Sequence, residues 1–344
     1  MSNITRIRNV FLDPQPKKSF LRICYEMLGW TITHKELPKF YFGHRIYHQE
    51  SGDYKNYLSK RDYVKLLDIN SAEKSHLKIY SENKLLFDNV LSNVGIRIPQ
   101  LLGYKIDSHI HLKVHNRSYS IRDENKLIEV FEVLLADYKE IFAKPVNSYG
   151  GKNCFLITDK NIQSIAEKVM KVPDMIFQEK LVQHPDINRI YSHSINTLRF
   201  DSYIDDDGDA MILNSLIRFG ANNSVVDNAS SGGFFVNVDL ESGRLFKKGM
   251  QFLIHGEQVY EKHPDSNVVF GGELIPFFDE AKELVLKALK TLPLKIGGWD
   301  IAITPDGPVI IEVNFRPMLT MSDTACGGYR KNEAMRELLK SVYS

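Results

Sequence analysis

Hydrophobic residues recur along the chain with two different periods, which predict a mixture of helices and strands. Apolar positions spaced three and four residues apart predict helices over residues 17–30, 81–94, 123–134, 162–169, 277–292 and 335–342. Alternating or continuously apolar runs predict strands over residues 109–115, 142–145, 153–157, 175–181, 196–204, 210–218, 233–238, 298–304 and 309–315. Strands and helices mixed in this way indicate an α+β architecture.

Polar residues and glycines predict where some of these helices begin and end. Ser81 and Asp123 each precede an apolar periodic run, so both are predicted to be N-caps. Gly95 is predicted to end the helix that begins at Ser81. The stretch from Thr31 to Ile69 is rich in Tyr, His and Lys and has weak periodicity. It is therefore predicted to form short helices and loops.

The composition is that of an ordinary globular protein with two or three domains. The chain has 344 residues, of which 43% are hydrophobic and 25% are charged. Its three cysteines, Cys24, Cys154 and Cys326, are too few and too far apart for a disulfide framework, which favours a reducing compartment. No apolar run near the N-terminus predicts a signal peptide or a transmembrane helix, so the expected location is cytoplasmic.

Charge is distributed unevenly between the N-terminal segment and the rest of the chain. Residues 1–80 contain 14 Lys and Arg against 8 Asp and Glu, a net charge of +6, whereas the whole chain has a net charge of +1. This asymmetry predicts either contact with a membrane surface or polyanion, or a basic face that docks onto the rest of the protein. The lack of a dense basic run favours internal docking, and no RNA-binding motif indicates a nucleic-acid partner.

Two apolar runs near the C-terminus carry three oxygen-bearing side chains. Asp300 lies in Gly298–Thr304, and Glu312 and Asn314 lie two residues apart in Val309–Phe315, which places them on one face of a strand. Oxygen ligands of this type suit Mg²⁺, which shares them with phosphate groups. Polar side chains within such apolar runs therefore predict a metal site rather than a solvent-facing hairpin.

This metal site sets a condition on strand pairing, because Asp300 and Glu312 can share an ion only if they face the same side of the sheet. Directly opposed residues meet that condition. Pairing Asp300 with Glu312 places Ile303 opposite Val309 and predicts a loop from Thr304 to Pro308. The two prolines favour this longer loop, since neither can donate a ladder hydrogen bond.

A second candidate site begins at Lys144, at the end of a predicted strand. The small, glycine-bearing turn Ser148–Lys152 follows it, and its backbone amides could fold over phosphate oxygens while the lysine supplies a positive charge. The pattern is not a P-loop, and by itself it is equally typical of a hairpin turn. A third element, Phe177–Gln183, places Glu179 where it could receive ribose hydroxyls, which alone is no better than chance.

The order of these elements resembles the ATP-grasp superfamily from Ser81 to about Ser322. Within it, the chain looks most like the sugar-transfer-associated ATP-grasp family, which is linked to bacterial surface-polysaccharide pathways. The segments that carry the resemblance include the linker 81–99, Asn196–Arg199, Asp227–Gly233 and Gly297–Asp300. The region ahead of Lys84 departs from the superfamily, because it is short and lacks the usual βαβ pattern.

The resemblance implies a nucleotide site built from distant segments. The residues implied to bind ATP are Lys84, Lys144, Ser148, Gly150, Gly151, Gln178, Glu179, Lys180, Leu181, Asp186 and Asn228. Residues 178–181 look like the hinge that holds the adenine. Its acidic residues would be Glu179 and Asp186, but Asn188 competes with Asp186 for the second place. Asp300, Glu312 and Asn314 match the metal ligands of the superfamily.

The resemblance also implies an ATP-grasp fold with a short N-terminal helical segment. The expected divisions are the helical segment 1–80, a linker and small lid subdomain 81–181, and a large subdomain 182–344 that carries the metal site. ATP is expected to bind between the last two.

The expected activity is Mg-ATP-dependent carboxylate–amine ligation through an acyl phosphate, on a sugar acid or amino acid. Arg218 and Arg316 are candidates to hold the transferring phosphoryl group or the tetrahedral intermediate, and ion pairs with Asp227 or Asp300 are the alternative. Two other activities stay open: an ATP-grasp phosphotransferase, and a non-catalytic ATP-binding module in a glycan-assembly complex. The expected partners are small-molecule substrates, with a possible peripheral contact to glycan-assembly machinery.

Overall fold

The computed structural model describes residues 10, 12–73, 76–115, 117–147, 153–227, 229, 232–252 and 259–343. The helices are α1 Phe20–His34, α2 Lys39–Gly43, α3 Lys60–Glu73, α4 Leu77–Glu82, α5 Lys84–Asn93, α6 Glu124–Tyr138, α7 Ile162–Lys171, α8 Pro185–Ile190, α9 Phe278–Thr291, α10 Leu319–Ala325 and α11 Glu333–Tyr343. The strands are β1 Leu101–Ile106, β2 His109–Val114, β3 Arg117–Ile121, β4 Ile141–Pro145, β5 Phe155–Ile157, β6 Met175–Glu179, β7 Leu198–Ile204, β8 Ala210–Phe219, β9 Phe234–Val238, β10 Leu245–Gln251, β11 Val259–Tyr260, β12 Ile296–Thr304 and β13 Gly307–Asn314. The α+β class is confirmed.

Each helix and strand predicted from periodicity is present, with ends that shift by a few residues. Asp123 is confirmed as an N-cap, since its side chain accepts a hydrogen bond from the backbone of Lys126 at 2.9 Å. The prediction for Ser81 is wrong. Asn83 caps α5 instead, and its side-chain oxygen accepts hydrogen bonds from the amides of the second and third helical residues at 3.1 and 3.0 Å.

A six-stranded antiparallel sheet, called the small sheet, is formed by residues 101–179 in the order β3-β2-β1-β6-β4-β5. Helices α6 and α7 cover one face and form a closed apolar core with it, in which Phe131 packs on Phe177 with ring centroids 5.5 Å apart. The end of β4 is tied to the linker helix, because the amide of Lys84 donates to the carbonyl of Val146 at 3.1 Å. Lys84 and Lys144 are thereby brought to the same end of the small sheet.

A seven-stranded antiparallel sheet, called the large sheet, has the order β11-β10-β9-β8-β7-β12-β13. Phe200 and Trp299 oppose each other and point into the core formed with α9. Because side chains alternate along a strand, their neighbours Arg199 and Asp300 point to the other face. We call this second face the polar face. Helices α3, α10 and α11 cover part of it.

The hairpin between β12 and β13 differs from the loop predicted for it. Asp300 does oppose Glu312, but Thr304 opposes Gly307, so the connection has only two residues. The register shifts between Asp300 and its neighbour because Ile311 is an extra, bulged residue in β13. The predicted loop from Thr304 to Pro308 is therefore wrong, although the predicted pairing of Asp300 with Glu312 is present. Pro308 is tolerated because β13 lies at the edge of the sheet.

The N-terminal segment forms its own aromatic cluster, which then docks on the polar face of the large sheet. The cluster contains Trp30, Tyr41, Ile46, Tyr47, Tyr54 and Tyr57. Arg45 donates to the carbonyl of Gln251 at 2.5 Å, and the amide of Leu58 donates to the carboxylate of Asp323 at 3.0 Å. Internal docking of part of the basic segment is thus observed.

Candidate functional site

Asp300 lies at the centre of a buried network of charges on the polar face. Its carboxylate is 1% exposed and accepts two hydrogen bonds from Arg199, at 2.5 Å from Nε and 3.0 Å from Nη2. Arg218 donates a third at 3.0 Å. Burial alone would raise the pKa of Asp300, but the two guanidinium groups outweigh it and lower the pKa to about 2. Asp300 is therefore ionised and firmly oriented.

Arg218 extends this network toward the loop that follows β8. Its Nε donates to Oγ1 of Thr197 at 2.9 Å and lies 3.4 Å from the carboxylate of Asp227. Asp227 also accepts hydrogen bonds from both the amide and the hydroxyl of Thr197. The ion pairs with Asp227 and Asp300 that the sequence left as an alternative are thus both present.

Glu312 and Asn314 extend the polar face beside Asp300. Burial and the adjacent carboxylate of Asp300 raise the pKa of Glu312, while the nearby lysines Lys144 and Lys84 act in the opposite direction. Asn314 opposes Gly298 and donates to its carbonyl at 3.3 Å, which leaves the side-chain oxygen of Asn314 available as an acceptor. The three side chains predicted to share a face of the hairpin do so.

Two lysines approach this carboxylate cluster from the direction of the small sheet. Lys144 is 5% exposed at the end of β4, and burial lowers its pKa to about 8 despite the opposing effect of Glu312. Burial also lowers the pKa of Lys84, again opposed by Glu312. Glu312 therefore lies within electrostatic range of both Lys84, from the linker helix, and Lys144, from the small sheet.

The segment predicted to hold the adenine joins the two sheets. The amide of Glu179 donates to the carbonyl of Gln100 at 3.0 Å, and its carboxylate accepts from the amide of Gln100 at 2.9 Å. Gln178 is buried and donates to the carbonyl of Pro99 at 3.3 Å. Burial raises the pKa of Asp88, which lies beside Gln178, to about 6.

The remaining predicted site residues lie in different settings. Asp186 is exposed at the start of α8, where its amide donates to His184. Lys180 pairs with Glu140 on the surface. Leu181 follows β6 and is partly buried. Arg316 is half-exposed and pairs with Asp68 at 2.8 Å. Ser148, Gly150, Gly151 and Asn228 lie outside the described residues.

Sequence reasoning gave no specific role to Arg199, although it lies in the Asn-Thr-Leu-Arg segment that was singled out. Its partner Asp300 is 101 residues away. No local pattern could have linked the two. An arginine inside a strand that is otherwise buried was the available signal, because a buried guanidinium requires a carboxylate partner.

A cavity of about 240 Å³ opens further along the same side of the molecule, between the N-terminal segment and β10. Arg45, Lys248 and Lys331 line it together with Glu50. Met250, which also lines the cavity, lies on the same face of the large sheet as the charge network. Met250 opposes Phe235, which in turn opposes Arg218, so these three side chains share the polar face.

The family model for sugar-transfer associated ATP-grasp proteins matches residues 67–335, more than three-quarters of the chain. The chain belongs to this family. The match confirms the predicted superfamily and family, and with them the ATP-grasp fold preceded by N-terminal helices. It places the protein among the ATP-grasp enzymes. A search of curated protein sequences found no match.

Several solved structures of ATP-grasp ligases are similar to this ATP-grasp chain at low sequence identity. The ligase PsnB, complexed with a minimal precursor, is 16% identical with a TM-score of 0.42, and the match covers 76% of this chain and 60% of PsnB. D-alanyl-alanine synthetase A from Vibrio cholerae is 12% identical with a TM-score of 0.43, over 78% of this chain and 66% of the synthetase. An N5-carboxyaminoimidazole synthetase from Staphylococcus aureus, complexed with ADP, is 12% identical with a TM-score of 0.42, over 70% and 46% of the two chains. This ATP-grasp chain thus spans about 60% of the length of PsnB, and the family assignment rests on the family model.

Two further findings concern the part of this ATP-grasp chain that the structure describes. Within its described parts, no helix is long and apolar enough to cross a membrane. The same residues contain no group of three or more His, Cys, Asp or Glu side chains that could hold a metal ion.

Proposed function

We propose that this protein is a Mg-ATP-dependent carboxylate–amine ligase that activates its substrate as an acyl phosphate. The observation that carries the proposal is the meeting of two lysines with two neighbouring carboxylates, of which Asp300 is buried and Glu312 is partly buried. Lys84 and Lys144 supply positive charge from one side, and Asp300 and Glu312 supply negative charge from the other. A Mg-nucleotide combines an anionic triphosphate with a dication, so it complements both halves of the site.

The chemistry of the carboxylates fits a divalent cation. Asp300 and Glu312 are close enough to hydrogen-bond to each other. Arg199 and Arg218 offset the charge of Asp300, and the raised pKa of Glu312 reflects the cost of a second carboxylate beside it. Glu312 and Asn314 would hold Mg²⁺, with Asp300 contributing the acceptor capacity that its two arginines leave. The bound ion would neutralise phosphate charge during transfer.

Each part of the site has a role in the proposed reaction. Lys144 and Lys84 bind and orient the triphosphate in the cleft between subdomains 81–181 and 182–344. The hinge from Gln178 to Leu181 binds the adenine and ribose. Arg218 lies beside the γ-phosphate position, where its remaining N–H groups stabilise charge on the transferring phosphoryl group. We assign Arg316 a weaker, peripheral role, because it is half-exposed and paired with Asp68.

In this proposal the cavity beside β10 receives the acceptor substrate. Arg45, Lys248 and Lys331 give it a positive charge that suits a carboxylate. A sugar acid or an amino acid of a bacterial surface-polysaccharide pathway has the required chemistry. The acceptor carboxylate would attack the γ-phosphate and release ADP. An amine would then displace phosphate from the acyl phosphate and lose a proton as the amide forms.

Product analysis tests the ligase proposal against the alternatives. A panel of uronic acids and amino acids is incubated with ATP and Mg²⁺, with and without amines, and ADP and phosphate are measured separately. A ligase is expected to release phosphate only when both acceptor and amine are present, and hydroxylamine should trap a hydroxamate. A stable phosphorylated acceptor would identify a phosphotransferase. ATP binding without turnover on any pair would favour a non-catalytic module.

The pKa of Lys144 predicts how nucleotide affinity depends on pH. Lysine binds phosphate as a cation, and its pKa in the free protein is lowered to about 8 by burial. Below that pH the side chain is already charged, so affinity is constant. Above it, binding must recover a proton, and affinity should fall about tenfold near pH 9. Burial lowers the pKa of Lys84 as well.

Calorimetric titration with ATP and Mg²⁺ across this pH range measures the effect. Lys144→Arg is the matched control, because arginine stays charged throughout. Its affinity should vary less with pH than that of the wild type. Equal pH profiles for the two proteins would contradict the placement of Lys144 at the phosphates.

A separate prediction concerns the turn Ser148–Lys152, which we expect to order over bound nucleotide because its glycines carry little packing. Hydrogen exchange at Gly150 and Gly151 should then slow when ATP and Mg²⁺ are added, and equal exchange would make the turn an ordinary hairpin.

A further inference from the structure

Helix α1 has the reverse of the usual arrangement of polar and apolar residues. Its one acidic residue, Glu26, is fully buried, where it accepts hydrogen bonds from Lys18, Arg22 and Tyr41. Large apolar side chains on the same helix instead face solvent. Helices of globular proteins normally turn their apolar stripe toward the core, so this outward stripe indicates an interaction surface.

The outward stripe is continuous along the helix. It consists of Phe20, Leu21, Cys24, Tyr25, Leu28 and Ile32, and the five large side chains among them are between 62% and 80% exposed. At 3.6 residues per turn, the six occupy an arc of about 140°. Glu26 and Trp30, which are fully buried, lie on the opposite side of the helix. We call these six residues the α1 stripe.

The exposed charges of residues 12–40, which surround the α1 stripe in sequence, are positive. Between residues 12 and 40 there are three acidic residues, and each is turned toward the protein. Asp13 bonds Tyr47 and His48, Glu26 is buried, and Glu36 accepts from the indole of Trp30 and the amide of Lys60. The exposed basic residues of the same range are Lys17, Lys35 and Lys39, together with Arg22, which is bonded to Glu26 and lies near exposed Asp53. The surface is therefore apolar in the middle and cationic at its edges.

We propose that the α1 stripe binds the surface of an anionic lipid bilayer, with α1 lying in the plane of the interface. A helix with an apolar face flanked by Lys and Arg binds such surfaces through apolar burial and attraction to anionic headgroups. Its 15 residues span about 22 Å, short of the roughly 30 Å of a hydrocarbon core, which agrees with a helix that lies on the membrane. This inference concerns where the protein acts and goes beyond its proposed reaction.

The charges favour a bilayer over a second copy of the chain. In a symmetric dimer, the same patch faces itself, so each α1 stripe would meet its own image. The exposed cations of one copy would then approach those of the other. The acidic residues of residues 12–40 are turned inward and could not offset that repulsion. An anionic membrane supplies the negative charge that a second copy lacks.

Vesicle sedimentation tests the proposal with the full chain. Wild-type protein is mixed with vesicles of equal parts phosphatidylcholine and phosphatidylglycerol, and with vesicles of phosphatidylcholine alone. Binding to the anionic vesicles is expected, with weaker binding to the neutral ones and at high salt. The double variant Leu21→Glu, Leu28→Glu should bind anionic vesicles at least about tenfold more weakly, because two charges then enter the apolar face.

The matched control is the double variant Val133→Glu, Val225→Glu, which adds the same charge at exposed apolar positions outside α1. It should bind vesicles more strongly than the α1 variant. Its binding should fall below that of the wild type only by the amount that two added negative charges cause. Circular dichroism and ATP binding of both variants verify that they are folded. Equal binding by the two variants, or no binding of wild type to anionic vesicles, would overturn the proposal. A lipid-free wild-type dimer that the α1 variant dissociates would assign the stripe to self-association instead.

Discussion

Replacing Asp300 with alanine is expected to destabilise the folded protein by about 3–5 kcal/mol, because it leaves a buried guanidinium without its partner. The side chain of Arg199 is 5% exposed and directs two N–H groups at Asp300. Arg218 loses one of its partners as well but keeps Thr197 and Asp227. The free energy of unfolding is obtained from urea denaturation of the nucleotide-free protein.

Asp68→Ala is the matched control for this measurement. It also removes a carboxylate from an Asp–Arg pair, but that pair, with Arg316, is half-exposed on both sides. Exposed ion pairs contribute little, so its loss should stay below about 1 kcal/mol. The combination Arg199→Met, Asp300→Leu should recover part of the loss, since it removes both buried charges. A loss for Asp300→Ala no larger than that of the control would mean that the buried pair does not form.

Lys144→Ala is expected to weaken binding of ATP with Mg²⁺ by more than tenfold. A charged hydrogen bond to a phosphate is worth roughly 1.5–3 kcal/mol, which corresponds to about 10- to 150-fold in affinity. Alanine also removes a desolvated cation whose burial already lowers its pKa, so folding should not suffer. Calorimetric titration of both proteins at neutral pH measures the difference.

A second buried lysine of the same sheet provides the control. Lys105 lies in β1, is also 5% exposed, and donates to the carbonyl of Val172 at 2.5 Å. Lys105→Ala removes an equally buried cation that does not face Glu312. Its affinity for ATP should match that of the wild type. Similar losses in both variants would show that the effect arises from damage to the small sheet rather than from a lost phosphate contact.

Local patterns predicted most of the helices and strands because each segment carries its own apolar period. They failed where the period is broken. Strand β10 was missed because two lysines and a glycine interrupt its alternation, and β3 because its residues are mostly exposed. The period of α1 predicted the helix but not its orientation, since the sequence does not reveal that Glu26 would be buried and Leu28 exposed.

The candidate site was predictable where its residues are close in sequence. Glu312 and Asn314 share a face by simple alternation, and Asp300 follows from the hairpin. The bulge and the two-residue turn that place Asp300 opposite Glu312 were not predictable. Ile310 and Ile311 are both apolar, so the pattern does not show which one is bulged. The pairing of Arg199 with Asp300 depends on long-range sheet order, for which the local sequence carries no signal.

The edge position of β13 has a consequence for association between copies of the chain. An open edge strand exposes unpaired N–H and C=O groups that can template pairing with another molecule. Here Pro308 lacks an N–H group, the bulge at Ile311 distorts the ladder, and the amide of Ile310 is already bonded to the carbonyl of Arg97 at 3.0 Å. The bulge that brings Glu312 opposite Asp300 thus also disrupts the edge at which another strand could pair, so the register of the site and the blunting of this edge depend on the same extra residue.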